Sequence, residues 1–490
     1  MGHRTIRVTP QRSGPGASSI PANVVPGRAY TQMSEGGNTD KSAMRFFVLA
    51  TAGFLALQVA MTSAQFFRAQ DPGVRGGAAG AGAPLDALSA PENDYFNAGK
   101  DDFEEVDGLD EGLGPRLNLD SCVGCHSQPA TGGTSPADNP QFGFANSANT
   151  VPSFITANGP VREARFVRNR DGSPDGGVHA LFTISGRMGA EACSIAQPDF
   201  ATQLANRNVI FRIPTPTFGA GLIEQIPDRA IAANQFSNAA AKAALGIRGR
   251  PNFQVSGRTI SGQTNNNGND GTIARFGWKA QNKSLLLFSG EAYNVEMGIT
   301  NELFQTEREE SPNCQYATVP NSVTDPDATT PIAALSAIEK FSMFMRLLAA
   351  PTPSADNPGG SRSIGNGRNV FNAIGCAHCH APSFMTGNSA VAALRYQRVA
   401  VFSDLLIHDM GVGLTDGVSQ GEAGPREFRS APLWGLGQRI FFLHDGRTSD
   451  LITAIRAHAS PGSEANGVVW NYIGLSEAQK QDLLNFLRSL

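Results

Sequence analysis

A mainly α, loop-rich fold is what the sequence predicts, and three observations predict it. Glycine and proline number 54 and 30 in 490 residues, above the share of an ordinary domain yet short of low complexity. Apolar residues recur at helical spacing in two stretches, one internal and one at the C-terminus. A five-residue frame, Cys-x-x-Cys-His, occurs twice, at 122–126 and 376–380. The length suggests two or three domains with ample material for cores. A composition 40 % hydrophobic and 17 % charged excludes a disordered chain and a polytopic membrane protein. With 39 Lys and Arg against 43 Asp and Glu, nucleic acid is not the expected partner, since phosphate neutralisation requires clustered cations.

Residues 1–41 are polar and rich in Gly, Ser and Pro. From Phe46 the chain turns apolar, with Arg45 before the run and Thr62-Ser63-Ala64 closing it. This is the pattern of a secretory signal peptide. Read instead as an uncleaved segment, 46–67 is long enough to anchor the chain in a bilayer; Gln58, the threonines and the Ala and Gly content weigh toward cleavage. Both readings export residues 65–490, to the periplasm or another exported location. The membrane is a partner only through this segment.

The two Cys-x-x-Cys-His frames carry the chemistry. This spacing attaches c-type haem: both thiols add to the vinyl groups, and the adjacent His is the proximal iron ligand. One helical turn presents both sulfurs to the porphyrin edge and swings the next imidazole beneath the iron. Two covalent haems c are therefore expected, on Cys122, Cys125 and His126 and on Cys376, Cys379 and His380. A redox dithiol would not repeat the following His. A zinc site would place its cysteine pairs far closer together in sequence. Cys193 and Cys314 remain; in an oxidising compartment a disulfide is expected, two free thiols being the alternative.

The organisation follows from these anchors. Residues 1–64 are an N-terminal extension and signal or anchor. Residues 65–115 read as a surface entry segment ending in an acidic run. Residues 130–330, rich in Gly, Asn and Pro, read as loops with short helices and small hairpins, and 265–268 as a turn. An amphipathic helix is predicted over 331–349, stopped by Pro351. A loop over 351–363 leads into a helix over 366–374 that delivers the second frame. Ser476 and Gln479 form a capping box opening a final helix with Leu483, Leu484, Leu487 and Leu490 inward. A helix before the frame and another at the end enclose a haem in small cytochromes. The fold expected is thus two cytochrome c-like haem domains, 65–335 and 336–490, the first enlarged by long insertions.

Ligand supply differs between the two. An electron-transfer haem takes a sixth ligand from His or Met, whereas a catalytic one leaves that position open. After the second frame come His408, Met410, His444 and His458; after the first, His179 is the one His in the next 200 residues, with Met188 and Met297. The ligand-poor first haem is the candidate site of chemistry.

Taken together, several segments resemble the di-haem oxidoreductase (putative peroxidase) family, a branch of the bacterial di-haem cytochrome c peroxidase superfamily. They are Asp404-Leu-Leu-Ile-His408-Asp-Met-Gly, Phe428-Arg-Ser-Ala-Pro-Leu-Trp434, Phe442-Leu-His444-Asp-Gly-Arg447 and Ala454-Ile-Arg-Ala-His458. Phe211-Arg-Ile-Pro through Glu224, Arg275-Phe-Gly-Trp278-Lys-Ala and Glu296-Met297-Gly match the same branch. The resemblance implies an enzyme acting on peroxide or oxygen, supplied with electrons by a redox protein. It implies that Glu296 lies over the first haem and Trp278 between the haems, and that His458, where the peroxidases carry a Met, is the sixth ligand of the second. A bis-His second haem would have a lower potential than a His/Met one. The family's catalytic glutamine, ten residues before the Glu, has no counterpart, since position 286 is Leu. Calcium between the domains is part of the same picture, without a ligand run to place it.

Each role has a plainer alternative: a surface or ion-paired helix residue for Glu296, core packing for Trp278, and structural hydrogen bonding for His179. Hydrogen bonding around the haem is favoured over iron ligation for His408 and His444, and Met410 is the fallback sixth ligand. Beside the peroxidase-like reading stand a non-catalytic di-haem electron carrier and a di-haem oxygenase or oxidase acting on another substrate.

Overall fold

The computed structural model describes residues 67–490 except 254–258, 261–262, 265–271 and 309–310, and only the backbone at 259–260 and 263–264. The expected signal or anchor and the turn at 265–268 lie outside these residues. Among them no helix is long and apolar enough to cross a membrane.

The chain is helix- and loop-rich with few, short strands. In order the helices are α1 (Ala90–Glu104), α2 (Cys122–Cys125), α3 (Phe200–Ala205), α4 (Ala220–Glu224), α5 (Asp228–Phe236) and α6 (Ala239–Leu245). Then follow α7 (Leu285–Met297), α8 (Ala337–Leu347), α9 (Gly360–Ile374), α10 (Leu451–Ala457), α11 (Asn466–Ile473) and α12 (Glu477–Ser489). The strands form two-stranded antiparallel ladders. Two of these matter for the site: β1 (Glu163–Phe166) with β2 (Val209–Arg212), and β3 (Ile407–Asp409) with β4 (Glu427–Arg429).

Two helix pairs organise the packing, α1 on α8 and α9 on α12. Helix α1 lies in the segment expected to be a surface entry. Ser89 caps it, Glu92 reciprocates, and Phe96, Gly99 and Phe103 share the buried face. Gly99 is required there, because a Cβ would stand 2.2 Å from the Lys340 carbonyl oxygen of α8. The second pair repeats the device at Gly367, where a Cβ would meet the Asp482 carbonyl oxygen.

Helix α8 begins at 337 rather than 331, since the Ser336–Glu339 capping box fixes its start. Helix α9 begins at 360, six residues before the expected 366. The final helix is capped by Ser476 and Gln479, and it buries Leu483, Leu484, Phe486 and Leu487. One apolar cluster gathers Phe96, Phe103, Phe341, Phe344, Tyr293 and Met297; a second gathers Phe371, Phe402, Tyr472, Leu484 and Phe486. Cys193 and Cys314 are joined as a disulfide.

Candidate functional site

The first frame forms a single helical turn, closed by the His126 amide on the Cys122 carbonyl at 3.0 Å. Cys122, Cys125 and His126 line a cavity of about 1200 Å³, its solvent-open part included. His126 Nδ1 donates to the Gly133 carbonyl at 2.9 Å. A carbonyl oxygen only accepts, so the proton sits on Nδ1 and the Nε2 lone pair is left for a metal. The Phe103 ring meets the imidazole edge-on with centroids 5.9 Å apart, and Phe341 and Phe344 pack behind Phe103.

Glu296, at the C-terminal end of α7, lines the same cavity. Asn118 Nδ2 donates to its Oε2 at 2.6 Å. Burial, and next the charge of Glu163, push the Glu296 carboxyl up to about 8. Glu163 comes from β1 and is within hydrogen-bonding reach of Glu296. Burial opposes its ionisation, but Arg165, at 2.6 Å, outweighs that and holds Glu163 below the ordinary carboxylate range. The pair therefore carries one proton near neutrality, on Glu296. Gln281 also lines this cavity and its Oε1 is a buried acceptor without a hydrogen-bond partner. Leu286 stands where the resemblance looked for an amide; Gln281 is five residues earlier.

The second frame opens on Gly375, whose left-handed φ of 104° ends α9. Cys376, Cys379 and His380 line a cavity of about 1420 Å³, again including its solvent-open part. His380 Nδ1 donates to the Phe402 and Ala431 carbonyls, both at 3.1 Å. His458, at the end of α10, donates from Nδ1 to the Ala454 carbonyl at 2.7 Å. Both rings thus keep Nε2 free. They are close enough for His458 to help burial in pulling His380 down to about 4. Two neutral imidazoles in one cavity with paired thiols suit a haem with two axial histidines.

The remaining candidates fall elsewhere. His408 is committed at both nitrogens, Nδ1 to Glu464 at 2.9 Å and Nε2 to Asp404 at 3.1 Å. Burial opposes its charge, but the carboxylate of Asp404 holds its proton above the ordinary range. It is a buried imidazolium, not a free ligand. His444 stacks on Phe428 at 4.3 Å beside Trp278. Met410 packs with Ile213, Trp278 and Phe428 in the wall of the second cavity. His179 lies outside both cavities, bonded to Asp175 at 2.9 Å and stacked on Phe166 at 3.7 Å. Met297 Sδ is 3.9 Å from Cys122 Sγ, and Met188 is exposed. Among the described residues no group of three or more His, Cys, Asp and Glu gathers as a cation site.

Trp278 lines both cavities. Its indole N–H donates to the Ile213 carbonyl at 2.8 Å, and the Ile213 amide donates to the His444 carbonyl at 2.9 Å. Beside it, buried Lys279 reaches Asp416 at 3.1 Å, which also binds Arg212 of the first cavity wall. Lys279 stands over the Phe428 ring, and burial pulls it down to about 7. Arg212 and Lys279 sit in the quoted motifs, next to Phe211 and Trp278, so the sequence held a signal for them. Glu163, Arg165 and Asn118 had none, because only the tertiary fold brings them to Glu296.

The chain belongs to the family described as di-haem oxidoreductase, putative peroxidase, whose model matches residues 166–490. The match includes the second frame and begins after the first. No curated protein matches the chain. Among solved structures, a MauG-like protein associated with microbial copper homeostasis is 18 % identical, over 56 % of this chain and 90 % of that one, with a TM-score of 0.27. The hydrazine synthase of Kuenenia stuttgartiensis, pressurised with xenon, is 16 % identical, over 41 % of this chain, with a TM-score of 0.23. The alignment spans 60 % of the hydrazine synthase chain.

Proposed function

We propose that this member of the family is an exported, peroxidase-like di-haem c-type enzyme with its chemistry in the first haem domain, 65–335, and an electron-transfer haem in the second, 336–490. The carrying observation is an asymmetry. The first cavity holds one histidine free at Nε2 and a buried carboxyl pair; the second holds two such histidines, His380 and His458. Covalently bound haem would supply the iron at which peroxide is reduced and, in the second cavity, an electron store fed by a redox protein.

The chain's own residues then have defined tasks. Glu296, when ionised, takes a proton from peroxide and returns it to the departing oxygen. Glu163 and Arg165 set how tightly it holds that proton, and Asn118 fixes its orientation. Trp278, in both cavity walls, would pass an electron between them. A carrier reading needs His179 or a Met as second ligand for the first iron; His179 is committed to Asp175 outside that cavity, and Met297, in its wall, lies against the Cys122 sulfur at 3.9 Å.

The test is Glu296→Gln in the haem-loaded protein. Both haems stay attached, and peroxide turnover falls by roughly 10²–10⁴, the usual contribution of a positioned acid–base group. Unchanged turnover would remove Glu296 from the chemistry.

A further inference from the structure

Buried cations in this chain are nearly all compensated. Arg165 faces Glu163, Arg212 and Lys279 share Asp416, Arg275 faces Asp228, and Arg488 binds Asp71 with both arms of its guanidinium at 2.7 Å. Arg75 and Lys242 point at backbone carbonyls. Arg429 and Arg439 break the pattern. They are only 9 % and 7 % exposed, and no described carboxylate pairs with either. Arg429 donates from Nε to the Gly277 carbonyl at 3.0 Å. Arg439 Nε is a buried donor with no acceptor at all.

Both side chains line the second cavity and the crevice beside Trp278 that runs toward the first. They are near enough to repel: after burial, the charge of Arg439 is what draws Arg429 down to about 10. Leaving one buried charge unpaired costs several kcal/mol, so two adjacent ones call for an anionic partner with two charges. Guanidinium forks match carboxylates in shape as well as charge.

We propose that Arg429 and Arg439 seat the two propionate carboxylates of the second haem, setting that edge of the cofactor against Trp278 and the side of the first cavity. This rests on reading 376–380 as a haem site. The Arg429 amide also donates to the Trp278 carbonyl at 2.9 Å, so the seat and the tryptophan move as one piece of backbone. The two positive charges favour the reduced, more negative haem, and thereby raise its potential against the lowering effect of two axial histidines.

The experiment is spectroelectrochemical titration of the holoprotein and of Arg429→Gln, Arg439→Gln and Arg429→Lys, with haem counted per chain. In each Gln variant the second haem becomes harder to reduce: its one-electron equilibrium constant drops about tenfold, or about 59 mV. The first haem stays in place, and the Lys variant keeps most of the wild-type potential. An unmoved second potential in both Gln variants, with two haems attached, overturns the seat and leaves the functional reading standing. A wild-type potential that shifts on adding phosphate, with no such shift in the Gln variants, would place a free anion there and also overturns it. A wild-type count below two haems would sink the functional reading itself.

Discussion

The two cavities share one construction and differ in what they add to it. Each has a Cys-x-x-Cys-His turn whose histidine gives its Nδ1 proton to a backbone carbonyl. Behind each histidine stands an aromatic cluster, Phe103 with Phe341 and Phe344 in one and Phe371 with Phe402 and Phe486 in the other. Each cluster rests on a helix pair that closes at a glycine. Beyond this frame the first cavity adds a carboxyl pair, an unsatisfied amide and arginines paired with carboxylates, whereas the second adds the histidine His458 and two arginines that no described carboxylate pairs with. On the proposed function, the shared part would hold a porphyrin and the added part would decide what that porphyrin does.

The largest effect expected from breaking the comparison is the turnover loss in Glu296→Gln, because it removes a carboxyl held protonated by burial and a second carboxyl, whereas the one carboxylate lining the second cavity, Glu464, is paired with His408. Next comes truncation of the shared frame. Phe103→Ala and Phe371→Ala should each destabilise the holoprotein by about 3–5 kcal/mol, the usual cost of deleting a buried aromatic ring. Denaturant titration measures the loss, and the haem spectra locate it. Phe103→Ala should perturb the first haem alone and Phe371→Ala the second alone. Equal disturbance of both haems by either variant would mean that the two halves are not separately supported.

A smaller effect concerns pH. Burial first, and the Glu163 charge second, lift Glu296 to about 8, so turnover that needs its ionised form rises with pH toward that value. Glu163→Gln removes a negative neighbour while the positive charge of Arg165 still acts on Glu296, so the rise moves to lower pH. The linkage sign agrees: the folded state holds this proton more tightly than the unfolded one. Its contribution to stability is therefore present below the ordinary glutamate value of 4.5 and is lost as pH climbs through about 8. A pH–rate profile in Glu163→Gln that coincides with the wild type would show that the two carboxyls act independently.

Much of the shared construction was legible in the sequence. Both frames, the final helix with its Ser476–Gln479 box and the place of Trp278 beside both cavities follow from local spacing and from the family segments. Helix α1 is masked by the acidic run 101–105, which reads as surface, although Ser89, Glu92 and the Phe96–Phe103 spacing carry the signal. Helix α7 is buried on most of its faces, so it shows no polar–apolar periodicity to read. Of the added parts, Glu296 and His458 lie in the family segments, but the residues that act on them were the hardest to see. Glu163 reaches Glu296 only through the β1–β2 ladder, and Arg429 and Arg439 matter because no acid approaches them. An absent partner leaves no trace in a sequence.

The measurement closest to the central claim is a quantified low-temperature EPR spectrum of the oxidised, haem-loaded protein, with haem counted per chain. One high-spin and one low-spin ferric haem in equal amounts is the result expected from one cavity with a single axial histidine and one with two. Two low-spin ferric haems at full loading, with the first still low-spin once the second has been reduced, would contradict the asymmetry on which the proposed chemistry depends.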